Sequence, residues 1–159
     1  MSAIIGRGRY ARETYPAPSG GGAAALAREW ADNPQAIGVA SAAGSTLASV
    51  TITPKVTGKF RVIITGVIFS SVANYFTCRV GHGPIDPVPA DYTSGVYQVP
   101  VAVTTDGVGF SLVVDLDKIA VPFVFPVGVP VRIAAGGAGN IGGCSISAGG
   151  VQIEVQEVF

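Results

Sequence analysis

From about residue 36 onward, apolar and polar residues alternate with period two, and no other feature of the sequence limits the fold so much. Ala48, Val50 and Ile52 alternate with Ser49, Thr51 and Thr53. Phe60, Val62 and Ile64 point one way while Lys59, Arg61 and Thr65 point the other. The same holds for Phe76, Cys78 and Val80, for Tyr97, Val99, Val101 and Val103, and for Phe110, Leu112, Val114 and Leu116. Val129, Val131 and Ile133 flank Pro130 and Arg132, and Val151, Ile153 and Val155 flank Gln152, Glu154 and Gln156. A strand turns successive side chains to opposite faces, so strict alternation means one buried face per strand. That is the mark of antiparallel sheets rather than parallel βαβ units.

Turn-forming stretches separate these runs: PKVTGK (54–59), GHGPIDPVP (81–89), TDG (105–107) and GGAGNIGG (136–143). Short strands with no helix between them predict an all-β, two-sheet antiparallel β-sandwich of jelly-roll type. Pro100 and Pro130 have no amide proton to give to a ladder, which places their strands at an edge or bulge. One short helix is expected at AAALAREWADN (23–33), closed by Pro34, with Leu26 and Trp30 on a shared face. Residues 1 to about 20 have no periodicity and read as an extended arm. The expected organisation is therefore an arm and helix over 1–34 and a sandwich domain over 35–159.

Composition says how such a sandwich keeps its surface. The chain of 159 residues is the size of one domain and long enough to bury a core without staples. Only 13% of it is charged, against about 25% in soluble domains, while 48% is hydrophobic and the mean hydropathy is +0.50. So few charges cover a free monomer poorly, which favours flanks buried against other subunits over a compact sandwich whose surface is polar through Ser, Thr and Gly. Ten basic and ten acidic residues cancel, leaving no field to draw in nucleic acid or an anionic membrane. The arm is the one local imbalance. Arg7, Arg9, Tyr10, Arg12 and Tyr15 combine cations with amphipathic rings, the residue types that anchor protein interfaces. With Leu26 and Trp30 they form the candidate partner-binding set. Three arginines supply few phosphate contacts, so nucleic acid is not the expected partner.

The search for chemistry returns little. His82 is the single histidine and sits in a Gly-Pro stretch, so neither a His-based metal site nor a Ser-His-Asp relay is expected. Asp115 and Asp117 leave the same face of one strand, where they form either an acidic pair or a solvated strand end. GGAGNIGG lacks the Lys-Ser/Thr of a phosphate loop. Cys78 and Cys144 fall in phase with apolar neighbours, which favours buried free thiols. RVIITGVIFSSV (61–72) and AVPFVFPVGVPV (120–131) are too short to span a bilayer, and no signal-like leader is visible at MSAIIGRGRY. The reading is a non-enzymatic protein without cofactor or metal, assembled in the cytoplasm.

The arm MSAIIGRGRYARETYP, the stretch VTITPKVTGKFRVIITGVIFSS (50–71) and the terminal strand VQIEVQEVF together resemble small jelly-roll proteins of tailed-bacteriophage particles. That group includes head-decoration (cement) proteins and trimeric fibre domains. The resemblance implies a structural virion protein on the capsid surface, binding major capsid protein as a homo-oligomer, dimer or trimer. It carries no catalytic residues with it. A fibre module recognising host glycan is the alternative, with Tyr92 and Tyr97 in DYTSGVY as its aromatics.

Overall fold

The run KFRVIITGVIFS sets β-branched and aromatic residues at alternate positions, and it forms the longest strand in the molecule. The computed structural model describes residues 25–39, 45–70, 74–83, 98–103, 107–139 and 144–159. Within them lie β1 (Arg28–Asp32), β2 (Ile37–Val39), β3 (Ser45–Ile52), β4 (Lys59–Ser70) and β5 (Asn74–Gly83). They are followed by β6 (Gln98–Val103), β7 (Val108–Asp115), β8 (Val131–Gly139), β9 (Cys144–Ile146) and β10 (Val151–Val158).

Two antiparallel sheets result. In the larger, β4 is the spine: β9 and β10 follow one another along one edge and β7 lies along the other. β1 and β2 follow one another in the same manner, β1 against β10 and β2 against β9. Counting each interrupted pair as one strand, the order is 1-8-3-6 in this sheet and 2-7-4-5 in the other, which runs β3-β8-β5-β6. The chain crosses between sheets in nested pairs, and that is the jelly roll.

The interruption shared by the two outer strand pairs centres on Asn33, which is fully buried. Its Nδ2 donates to the carbonyls of Gln35 (2.9 Å) and Ser147 (2.8 Å), and its Oδ1 accepts from the Val151 amide (2.8 Å). The amide of Gly149 donates to the Asn33 carbonyl at 2.8 Å. Pro34 has no proton with which to continue the ladder. One asparagine thus satisfies the backbone groups that the break would otherwise leave buried and unpaired.

The inner faces meet in one core. Phe60, Val62, Ile64 and Ile68 of β4 are fully buried, as are Phe76 and Ile133 of the other sheet and Val151, Ile153 and Val155 of β10. The rings of Phe76 and Phe110 lie 5.1 Å apart and join the sheets. Each large side chain removed from water contributes about 1.5–3 kcal/mol. Cys78 and Cys144 are buried free thiols within this core, and burial pushes the Cys78 thiol up to about 12. Pro100 lies in β6, which ends its sheet among the described residues, whereas Pro130 stands just before β8, an inner strand and not the edge expected for it.

The pattern misled in three places. The helix expected over 23–33 is replaced by β1, whose five residues all pair with β10, and no helix occurs among the described residues. So short a helix is marginal on its own, and the open edge of β10 offers a full ladder instead. Because β1 belongs to the sheet, the sandwich begins before the boundary placed after residue 34. The glycine stretch from 136 is not all turn: Gly136–Gly139 complete β8. A Cβ on Gly137 would lie 2.4 Å from the Phe76 ring, so the glycine makes room for the largest core side chain of β5.

Candidate interaction surfaces

The outer face of the larger sheet alternates apolar and polar rows. Register places Trp30, Glu154, Ile63 and Val113 side by side across four strands. The adjacent row is Arg28, Gln156, Arg61 and Asp115, and the row on the other side is Asp32, Gln152, Thr65 and Ser111. Trp30 and Val113 are 58% and 57% exposed, and Val67 and Phe69 further along β4 are also exposed. A shallow depression of about 560 Å³ lies beside them, lined by Thr65, Ser111 and Gln152 where Gly109 presents no side chain.

Two acids of this face, Glu154 and Asp115, are paired with cations. The Arg61 Nε donates to Asp115 Oδ1 at 2.7 Å and its Nη2 to Oδ2 at 3.0 Å, while Lys118 Nζ donates to Oδ2 at 3.1 Å. The Arg61 hydrogen bonds, aided by Lys118, hold the Asp115 carboxyl at about 2 against the upward push of burial. Arg28 Nε and Gln156 Nε2 both donate to Glu154 Oε1. Asp115 is therefore committed to its cations and does not form a pair with Asp117. Among the described residues, no group of three or more His, Cys, Asp or Glu is placed to hold a metal ion.

A second apolar surface follows β7. From Ile119 to Val131 no residue carries a charged or hydrogen-bonding side chain, yet Val121, Val124, Val127 and Val129 are each more than half exposed. The backbone of this segment is firmly tied down. Phe123 N donates to the Leu116 carbonyl (2.7 Å), Phe125 N to Gly58 (2.8 Å) and Gly128 N to Pro54 (2.9 Å). Gly58 has a φ of 68°, and a Cβ there would lie 1.8 Å from the Phe125 carbonyl oxygen, so only glycine permits the approach. Phe123 and Phe125 turn back toward His82, with ring centroids 4.0 and 5.2 Å from it, and border an apolar cleft of about 360 Å³. His82, expected in a loop, is thus at the end of β5 with its ring in an aromatic cluster.

Glu157 secures this end of the sandwich. Its carboxylate is buried and accepts amide protons from Ala27 (3.0 Å), Lys55 (2.9 Å), Val56 (2.8 Å), Thr57 (2.7 Å) and Gly58 (3.0 Å). Burial alone would raise its pKa, but the amides of Ala27, Gly58, Lys55 and Val56 outweigh it and hold the carboxyl at about 2. The PKVTGK turn and Ala27 meet at this one acid, and Gly58 of the turn in its own right accepts the Phe125 amide.

Of the residues expected to bind a partner, Trp30 lies on the outer sheet face and Leu26 is half-buried just before β1, so they share a strand segment and not a helix face. Arg7, Arg9, Tyr10, Arg12 and Tyr15 lie outside the described residues, as do Tyr92 and Tyr97. Sequence reasoning missed Val113, Val67, Phe69 and the exposed valines. AVPFVFPVGVPV was visible as an apolar run, but it was weighed only against a membrane span.

No protein-family model and no curated protein matches the chain. Among solved structures, murine APRIL at pH 5.0 is similar over 78% of this chain and 98% of its own, at 10% identity and a TM-score of 0.42. BiXyn10A CBM1 in its apo form is similar over 80% of this chain and 100% of its own, at 7% identity and a TM-score of 0.30. Likeness at this level bears on neither fold nor function, and the jelly-roll assignment rests on the strand pairing alone.

Proposed function

We propose that this chain is a non-enzymatic structural subunit that works by laying the outer face of its larger sheet against other protein chains. The observation that carries the reading is the set of exposed apolar residues Trp30, Val113, Val67 and Phe69 on this face, where Glu154, between Trp30 and Ile63, is paired with Arg28, and Asp115 with Arg61 and Lys118. Exposed apolar surface of this kind marks interaction sites. Ion pairs already made leave fewer unpaired charges to strip of water when a partner arrives.

In its specific form the proposal is a virus-particle component, a decoration protein that binds and stabilises a shell of major capsid subunits as a homo-oligomer. Symmetry multiplies each contact, so every copy needs only an ordinary interface of about 1,200–2,000 Å². The support is the sequence resemblance together with a rigid sandwich that displays one flat, partly apolar face.

Val113→Asp tests it, because Val113 is exposed and the variant keeps its core. The expected result is a folded protein that no longer co-sediments with undecorated shells and whose self-association weakens at least about tenfold. A folded Val113→Asp protein that binds shells and associates like the parent would remove the sheet face from the reading.

A further inference from the structure

We propose that β7 is the seam of a homodimer, pairing antiparallel with β7 of a second copy so that the two larger sheets become one. The inference rests on the homo-oligomer of the reading above for its partner, and it places the contact at the edge of the sheet instead of its face.

The direction of the backbone groups in β7 follows from one hydrogen bond. Leu116 N donates to the Phe60 carbonyl at 2.9 Å and continues the register of β7 on β4. Along an antiparallel strand, residues bonded to one neighbour alternate with residues whose N–H and C=O point the other way. Phe110, Leu112 and Val114 therefore face β4, while Gly109, Ser111 and Val113 turn their amides and carbonyls outward. Among the described residues β7 pairs with β4 alone, and no backbone group meets those outward ones. Such a row of open groups is a template for a further strand.

The remaining sheet edges carry guards. β1 has Arg28, Glu29 and Asp32 within five residues, β2 is three residues long, β3 shifts register between Thr46 and Ala48, and β6 contains Pro100. Charge, shortness, a bulge and proline each discourage pairing at an edge. β7 has none of these over its first seven residues, and its register on β4 is unbroken. Its one charged residue, Asp115, stands at the end of the strand in the grip of Arg61 and Lys118.

The strand is also complementary to itself. A twofold axis at Ser111 sets Ser111 opposite Ser111, and Val113 opposite Gly109 of the second copy. Every outward group of Gly109, Ser111 and Val113 then finds a partner. A Cβ on Gly109 would meet only the Gly66 carbonyl oxygen, at 3.9 Å, so the space beside it is open to the Val113 side chain. Gly109 stands opposite Val67 of β4, so the exposed Val113 of one copy joins the row of the exposed Val67 of the other. The serine hydroxyls meet on the axis and can bond to each other, and Asp115 falls opposite Gly107, so no like charges are opposed. A second copy supplies this match over the whole strand, which an unrelated peptide does not.

Disulfide trapping in the full chain tests the register. Ser111 and Val113 are exposed, whereas Cys78 and Cys144 are buried and stay out of the reaction. Across the proposed axis the two Ser111 Cα atoms lie about 5.5 Å apart, within disulfide reach, and the two Val113 Cα atoms about 14 Å apart. Under mild oxidation Ser111→Cys should link two chains at least about tenfold faster than Val113→Cys. Equal rates, or a faster Val113→Cys, would overturn the seam. Ser111→Pro supplies a second readout, because it removes a proton that points away from β4 and an edge strand tolerates that loss. The Gly109 and Val113 amides of the parent should exchange several-fold more slowly in concentrated than in dilute solution, and those of folded Ser111→Pro at one rate throughout. A parent whose exchange ignores concentration also sinks the proposal. The two readings fail separately: shell binding by Val113→Asp reports on the face, and linkage of Ser111→Cys chains reports on the edge.

Discussion

Glu157 and Asp115 are both carboxylates held at about 2, yet they sit in opposite kinds of place. Glu157 is buried, and backbone amides from Ala27 and from Lys55 to Gly58 surround it. Asp115 lies on the outer sheet face and is gripped by Arg61 and Lys118, whose side chains are 43% and 66% exposed. Backbone donors are fixed by the fold and gain strength where water is excluded. Exposed cations are mobile and screened. The same carboxyl chemistry therefore makes a rigid joint at one end of the sandwich and an adaptable polar border on the face proposed to meet a partner.

Removing the charge at the rigid joint should have the largest effect. Glu157→Gln keeps the size of the side chain but replaces one acceptor oxygen by an NH₂ group that faces amide donors. Orphaning buried N–H groups and losing hydrogen bonds to a charged acceptor should together lower stability by about 3 kcal/mol in urea unfolding. A loss below about 1 kcal/mol would mean that the amides find water instead, and the contrast with Asp115 would collapse.

The two sites were unequally legible in the sequence. Period-two alternation located the buried faces of β3, β4, β5, β7 and β10, because each buries one face, and only the start of β8, where Ile133, Ala134 and Ala135 are buried in succession. The Arg61 and Asp115 positions followed from it as outward-facing residues. β1 was hidden because REWAD has no clean alternation and its pairing depends on an edge some 120 residues away, which local pattern does not report. Glu157 was invisible for a related reason. In VQIEVQEV it stands out of phase with the half-buried Glu154 and Gln156, at a position where alternation requires an apolar residue. That breach of pattern was the available signal of a buried, satisfied charge. Val129, read as the first of the row with Val131 and Ile133, is instead exposed ahead of β8, and the exposed valines of 121–127 fall in a stretch without period, where sequence gives apolarity but not which side faces water.

Acid should separate the two carboxylates by the width of their windows. Glu157 has an ordinary value of 4.5 and Asp115 of 3.8, and folding lowers both to about 2. A depressed carboxylate contributes its stabilisation above its unfolded value and loses it as pH falls through the folded one. Stability should thus drain between about pH 4.5 and 2, with Glu157 accounting for about 2–3 kcal/mol of the loss. Urea midpoints taken at half-unit steps of pH should fall steeply in the parent and much less in Glu157→Gln, whereas Asp115→Asn should remove only a minor part of the slope below about 3.8. Equal flattening in the two variants would show that the buried joint and the exposed pair are energetically alike.

Salt should give the smallest effect and the cleanest separation. Asp115→Asn leaves a neutral acceptor for Arg61, so at low ionic strength it should lower stability by about 1 kcal/mol or less. Raising sodium chloride from about 0.05 to about 1 M shrinks the screening length to about 3 Å, comparable to the Arg61–Asp115 contact, and the variant should then unfold nearly with the parent. The deficit of Glu157→Gln should stay the same within about 0.5 kcal/mol, because its partners are fixed dipoles in a site closed to ions. A salt-sensitive Glu157 deficit would place solvent and counterions at the joint, and with them a looser attachment of Ala27 and of the loop that carries Phe125. A salt-insensitive Asp115 deficit would instead make the outer face a preformed rigid surface, so that a partner would have to match its ion pairs as they stand.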